Sequence, residues 1–304
     1  MRRYKDLTLA QLRSFSSVCR LGTYAAAARE LALTSPAIWE QLNGLQRYYG
    51  RKLLVRRGNG VAPTVDGEHL LKMIRPVLAG LDSTRDAMLQ HGGTRPESLT
   101  IATNLRVLAE EISQGLATFQ RDNSDIRLRL VFTGNDVHER VESGEADVGF
   151  TLEPGPDQDY GATIDYQPAG EVDYLLVLPR RHPLRRGSAL RVEHLTRYPL
   201  VLGDSAAYSR HRVEEVLHRH LLKSSVRVAV ETSSDEYTLA CVRAGMGIGI
   251  TIGAGRGPLF GGLAVRSLRR WFGTARLGFV WRRGAFISPG QRELTDAIRS
   301  TIRA

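Results

Sequence analysis

What most constrains this chain is the succession of capping residues and apolar positions between Thr8 and Gly50, which specifies three short helices in close order. Thr8 stands at an N-cap position, and Leu9, Leu12, Phe15 and Val18–Cys19 then recur at helical spacing. Gly22 ends that helix. Thr23 opens a second, Tyr24–Ala32, whose run Ala25 to Ala28 lets a neighbouring helix approach closely. After a turn at Leu33, Thr34 caps a third helix, and Pro36 falls in its first turn, where a missing N–H sacrifices no intrahelical bond. This helix is predicted to run to about Tyr49 and stop at Gly50, a natural C′ residue. Ile38, Leu42, Leu45 and Tyr49 share one stripe, while Pro36, Glu40, Asn43 and Arg47 lie opposite with Trp39 on the flank. Two short helices joined by a tight turn, the second with a polar outer face, describe a helix-turn-helix.

The residues that follow extend this reading. Leu53 to Arg57 and Gly60 to Pro63 flank a Gly58-Asn59-Gly60 tip, the signature of a basic β-hairpin placed as a wing. Helix resumes at Thr64, with Asp66 and Glu68 favourably placed in its first turn. Leu70, Ile74, Val77, Leu81, Thr84 and Met88 then alternate steps of four and three, a coiled-coil period that implies a dimer, with a bend expected at Pro76. His91 to Pro96 reads as a flexible break.

Charge supports the same division. Residues 1–91 hold 14 Lys or Arg against 7 Asp or Glu, whereas residues 92–304 hold 28 against 25. The net charge of +10 is thus concentrated at the N-terminal end, as expected of a nucleic-acid-binding segment. The opening residues lack a signal-peptide core, and no stretch reaches the ~18 apolar residues of a membrane span. Cys19 and Cys241 are too few for a disulfide framework. A cytoplasmic protein with no membrane partner and no cofactor is expected.

Beyond residue 97 strands and helices alternate. Strands are predicted at Ser98–Ala102, Arg127–Thr133, Ala146–Leu152, Tyr174–Pro179, Leu200–Leu202, Val226–Glu231, Ile248–Ile252, Leu263–Leu268 and Arg276–Trp281. Helices are predicted at Val107–Gln120, Val137–Ser143, His211–Leu222, Glu236–Ala244 and Pro289–Ile302. Repeated βα units argue for mainly parallel sheets with ligands held off the carboxyl ends of the strands.

The first 70 residues resemble the LysR-type transcription regulators. Leu9 to Phe15 is similar to that family's opening helix, and Ala27 to Ile38 follows its helix-turn-helix almost position by position. Leu53 to Arg56 and Pro63 to Gly67 stand where its wing and linker helix begin. Farther on, Val141 to Gly149, His182-Pro183-Leu184 and Ala244 to Ile250 resemble later landmarks of the family. The resemblance implies an α/β fold: an N-terminal winged helix-turn-helix (1–63), a long dimerising linker helix (64–91), and a periplasmic-binding-protein-like effector domain (97–304). That domain would have two lobes, one of about 97–170 with 270–304 and one of about 171–269. It also implies homodimers that commonly pair into homotetramers, and a sequence-specific regulator controlled by a small molecule. Where most members carry a serine and a basic residue in the recognition helix, this chain has Trp39 and Glu40, with Gly44 inside the same helix.

The DNA-contact candidates are therefore Thr34, Ser35, Pro36, Trp39, Glu40, Asn43 and Arg47 at the groove, with Arg56 and Arg57 on the wing. Asn43 suits adenine, and Glu40 can accept from a cytosine amino group. For the effector, Thr103 and Asn104 follow the first strand of the sensing region and are expected to open its helix, where backbone N–H groups suit an anion and Arg106 adds charge. Ser205 holds the like position in the second lobe, and Thr133, Thr151 and Thr232 end strands at the same edge. The expected partners are operator DNA, a small anionic metabolite, further copies of the chain, and RNA polymerase.

The alternative is a cytoplasmic solute-binding protein or metabolic enzyme with a basic N-terminal extension. The glycines of Gly245 to Gly249 precede a predicted strand, whereas a dinucleotide loop needs strand, glycines, then helix. His218 and His220, two apart on a helix, face different directions, and no nucleophile-elbow sequence is present. A solute-binding protein leaves the basic helix-turn-helix without a purpose.

Overall fold

The computed structural model describes residues 7–91, 96–134, 136–153, 163–186, 190–205 and 207–303. The chain divides into two compact units: Met1–Arg95 with Pro156–Asp165 and Trp281–Ser288, and Pro96–Gly155 with Tyr166–Val280 and Pro289–Ala304.

In the first unit, α1 (Leu9–Leu21), α2 (Tyr24–Glu30) and α3 (Ser35–Tyr49) form where the caps predict. Thr8 accepts from the Gln11 N–H at 3.2 Å and Gln11 Oε1 accepts from the Thr8 N–H at 2.9 Å, a reciprocal capping box. Gly22 and Gly50 end their helices in the left-handed region, at φ +73° and +63°. Phe15, Val18, Ala27, Ile38, Leu42 and Leu45 are buried together. Tyr49, expected on the same stripe, is instead exposed at the helix end, edge-on to Tyr48.

The strands β1 (Leu54–Arg57) and β2 (Gly60–Pro63) pair antiparallel from Leu54↔Pro63 to Arg57↔Gly60. The Val61 N–H donates to the Gly22 carbonyl at 2.8 Å, tying this wing to the turn between α1 and α2. Next comes α4 (Val65–His91), with Leu70, Leu71, Ile74 and Leu78 buried in the helix-turn-helix core. This corrects the expected seam, because Leu70 and Ile74 pack on their own unit. The stripe left exposed is Met73, Val77, Leu81, Thr84 and Met88. Residues 281–288, expected within the first lobe, cluster with this unit: the Phe286 N–H donates to Ser83 Oγ at 2.9 Å.

In the second unit β3 (Ser98–Thr103), α5 (Ala109–Asp122), β4 (Arg127–Phe132), α6 (Val137–Ser143) and β5 (Val148–Leu152) come first. The long β6 (Ile164–Pro179) follows, then β7 (Leu200–Gly203), α7 (Tyr208–Arg219), β8 (Val228–Thr232), α8 (Asp235–Arg243) and β9 (Ile248–Gly253). The chain closes with β10 (Leu263–Ser267), α9 (Arg269–Phe272), β11 (Thr274–Arg282) and α10 (Pro289–Arg303). The strands run in the order β4-β3-β5-β11-β6-β9-β7-β8, with β10 also on β6.

The expectation of mainly parallel sheets is corrected in part. β3 runs parallel to β4 and β5, and β7 parallel to β8 and β9, but β11 is antiparallel to β5, and β6 is antiparallel to β9 and β10. Each parallel set is the heart of one α/β lobe, and β6 and β11 join them through the middle. Close packing is needed where α10 crosses α5: a Cβ on Gly115 would lie 2.6 Å from Ile298 Cα.

Candidate nucleic-acid interface and ligand site

The outer face of α3 is open. Ser35, Pro36, Glu40 and Arg47 are exposed, Asn43 is half-buried, and Trp39 leaves 57% of its surface to solvent. A large aromatic with this much of its surface uncovered is available to a partner. Trp39, Glu40, Asn43, Gly44 and Arg47 line a groove of about 930 Å³, whose other walls include Gln11, Arg51 and Lys52. Thr34 spends its hydroxyl oxygen on the Ala37 N–H at 3.3 Å, so it positions the helix before it can touch a ligand. Arg47 Nε donates to the Asn43 carbonyl at 3.4 Å, which leaves the far end of its guanidinium outward.

Gly44 also finds a reason here. A Cβ at that position would lie 2.6 Å from Gln11 Nε2, so the glycine makes room for the side chain that completes the α1 capping box. On the wing Arg56 and Arg57 are both exposed. As neighbours on a strand their side chains leave opposite faces of the hairpin.

In the second unit, Thr103, Thr133, Thr151 and Thr232 are buried. Four of the first-lobe candidates are linked in two pairs at the carboxyl ends of β3, β4 and β5: the Thr133 N–H donates to the Thr103 carbonyl at 2.8 Å, and Thr151 Oγ1 donates to Asn104 Oδ1 at 2.9 Å. With its oxygen engaged, Asn104 presents its amide N–H groups. Thr103 and Asn104 do not open a long helix as expected: a short 3₁₀ turn over Arg106–Leu108 intervenes, and α5 begins only at Ala109. The Thr103 hydroxyl accepts from the Leu105 N–H at 3.1 Å, so it shapes that turn.

Second-lobe candidates are more dispersed. Ser205 lies exposed in the turn after β7, ahead of α7, which has no side-chain cap. Thr232 faces inward, 2.6 Å from the Thr238 hydroxyl, and serves the packing of α8 on β8.

Two carboxylates in the first turn of α8, Asp235 and Glu236, are not among the residues that the sequence suggests for the site. Glu236 Oε1 lies 3.5 Å from Arg106 Nη1. Burial pushes the Asp235 carboxyl up to about 6, although the Thr251 hydroxyl donates to it and pulls the other way, and the Glu236 charge adds to the rise. A carboxyl raised from its unfolded value near 3.8 favours the folded state fully only below that value, and the advantage is lost as pH climbs through about 6. Asp235→Asn is therefore expected to be more stable than the parent by up to about 3 kcal/mol above pH 7, with the gap closing below pH 4. Urea unfolding of both proteins at several pH values measures this; a pH-independent difference would refute it.

Among the described residues no group of side chains could hold a metal ion, and no helix is long and apolar enough to cross a membrane.

Comparison with known proteins decides the family. The profile of the "Bacterial regulatory helix-turn-helix protein, lysR family" matches residues 9–68, and that of the "LysR substrate binding domain" matches residues 93–303. The chain belongs to the LysR family. This LysR-type protein is 26% identical over 247 residues to the transcriptional activator CmpR of Synechocystis, covering 81% of this chain and 79% of that one. It is also 26% identical over 303 residues to the regulator GbpR of Azospirillum brasilense, covering 97% and 86%. Its fold matches a full-length OxyR variant from Pseudomonas aeruginosa with a TM-score of 0.69 at 19% identity, over 98% of this chain and 97% of that one. The regulator CbnR, solved with its target DNA, superposes with a TM-score of 0.55 at 20% identity, over 97% and 100%. The protein is thus a transcription regulator with a DNA-binding helix-turn-helix and a two-lobed effector-binding domain, a class that performs no catalysis.

Proposed function

We propose that this LysR-type regulator reads a pseudo-palindromic operator with the outer face of α3, as a cytoplasmic dimer or tetramer joined through α4. The observation that carries this reading is the exposure of Trp39 beside Glu40, Asn43 and Arg47 on one groove wall. Ser35 and Pro36 enter the major groove first, Asn43 and Glu40 meet base edges, and Trp39 packs on the sugar-phosphate rim. Arg56 and Arg57 contact phosphates and set register without reading sequence. Thr34 holds the helix at the angle these contacts require. The functional divisions are a winged helix-turn-helix to residue 63, a linker helix to 91, and a sensing domain from 97.

Selection of bound duplexes from a random pool by the full-length protein tests this. An inverted repeat is expected, reflecting dimer symmetry; sequence-independent binding alone would overturn it. A second outcome separates the wing from the helix. Replacing Arg56 and Arg57 together by alanine is expected to lower the slope of log affinity against log salt by about one to two, with the preferred sequence unchanged. Titration of one operator at four salt concentrations reads this slope, and a changed base preference would move the arginines into the groove.

The effector is a small anionic metabolite held at the strand ends by Thr103, Asn104, Arg106, Thr133 and Thr151 of the first lobe, closed over by Ser205 of the second, while Thr232 supports that wall from within. Its binding shifts an equilibrium between arrangements of the lobes and of the oligomer, and so alters what RNA polymerase meets at the promoter.

A further inference from the structure

We propose that Glu236 is a built-in occupant of the Arg106 guanidinium, so that an anionic effector binds by displacing it and thereby releases a contact between the two lobes. This rests on the reading of Arg106 as an effector contact given above. Arg106 follows β3 of the first lobe, and its Cζ lies 3.5 Å over the centroid of the Phe132 ring. Stacking of this kind fixes the plane of the guanidinium and leaves the N–H donors of its edge pointing sideways, ready for a planar anion.

The partner now on that edge is a poor one. Arg106 Nη1 and Glu236 Oε1 are 3.5 Å apart, whereas a charge-assisted N–H···O bond usually spans about 2.7–2.9 Å. The other oxygen, Glu236 Oε2, is buried and has no hydrogen-bond donor among the described residues. A carboxylate oxygen removed from water without a donor in exchange is held against a desolvation cost. That cost is recovered when the side chain swings out to solvent. The neighbouring Asp235, enclosed beside it and bonded to the Thr251 hydroxyl, adds a like charge when ionised and disfavours the seat further.

A fixed guanidinium with a long, single-point, half-satisfied partner is a site where a small carboxylate or phosphate making two parallel contacts prevails. Because Glu236 belongs to α8 of the second lobe and Arg106 to the first, occupation of the site severs an inter-lobe ion pair. Ligand binding and lobe arrangement are then coupled through one exchange of partners.

The test uses the full-length protein, with succinate and sulfate as probes at constant ionic strength, read as thermal stabilisation. Glu236→Gln is expected to reach half-maximal stabilisation at about fivefold lower probe concentration than the parent, the scale of a partly exposed ion pair. Arg106→Gln and the double variant are expected to lose the response. Glu236→Asp, which withdraws the carboxylate by one methylene, should shift in the same direction as Glu236→Gln and serves if the latter folds poorly. If the Glu236 variants respond at the parental concentration while Arg106→Gln abolishes the response, the anion site stands and the competitor role falls. A response that survives Arg106→Gln overturns the anion site itself. Silence in every protein, Glu236→Gln included, overturns the proposal too, because freeing the guanidinium should have created a response.

Discussion

Replacing Val77 and Leu81 with lysine is expected to leave a folded protein that sediments as a monomer and binds its operator at least about a hundredfold more weakly. Met73, Val77, Leu81 and Met88 are 52%, 55%, 43% and 71% exposed, and they follow one another along α4 at steps of four or seven residues. Side chains three and four apart share a helix face, so these form a continuous apolar stripe pointing away from the core that holds Leu70, Leu71, Ile74 and Leu78. Burying a side chain of this size against a second copy contributes roughly 1–2 kcal/mol each. Four from each protomer are therefore enough to hold a dimer. Without it, each half of the operator is bound alone, and the advantage of the second, tethered contact disappears. Lysine was chosen because it adds positive charge near DNA: weakened binding cannot then be ascribed to phosphate repulsion. Analytical ultracentrifugation with operator titration decides it, and an intact dimer in the double variant would place the interface elsewhere.

The same helix shows where sequence reading ends. Two apolar stripes overlap on α4, and a period of 3.5 residues runs through Leu70, Ile74, Val77 and Leu81 equally well. Only packing against Phe15, Ile38 and Leu45 shows which stripe belongs to the chain's own core. The helix-turn-helix was legible because its signals are local: Thr8, Thr23 and Thr34 each accept, through the side-chain hydroxyl, from a backbone N–H three residues on, and Gly22 and Gly50 each end a helix. The first half of β6 was not. Ile164 to Asp173 includes Pro168, Gly170 and several polar residues, a composition that argues against a strand, and its place in the sheet comes from the neighbours that pair with it. Glu236 and Asp235 were invisible as site residues for a similar reason. Acidic groups in a first helical turn have a sufficient local explanation, and only the fold sets Arg106 and Thr251 against them.

Gly67→Ala is expected to destabilise the N-terminal unit by about 3 kcal/mol, with operator binding lost in parallel as it unfolds. Gly67 lies in the first turn of α4, where a Cβ would sit 2.1 Å from the Leu53 carbonyl oxygen and 3.2 Å from Pro63 Cβ. That carbonyl cannot retreat cheaply. It accepts from the Thr64 N–H at 3.0 Å, Thr64 Oγ1 in turn donates to the Lys52 carbonyl at 2.7 Å, and the Leu53 N–H donates to Gln46 Oε1 at 2.9 Å. Moving the Leu53 backbone therefore strains a junction that ties α3, the wing and α4 together, and shifts a side chain that is itself fully in the core. Gly44→Ala supplies the contrast. Its obstacle is the far end of the Gln11 side chain, which can rotate away at the expense of a capping bond worth about 1 kcal/mol, while alanine returns about the same in helix propensity. Gly44→Ala should consequently melt close to the parent and Gly67→Ala well below it. Thermal and urea unfolding of the two variants side by side tests whether backbone rigidity, rather than mere proximity, decides the outcome. Equal melting of the two would mean that the Leu53 carbonyl yields as easily as a glutamine side chain, and that the junction is looser than its hydrogen bonds require.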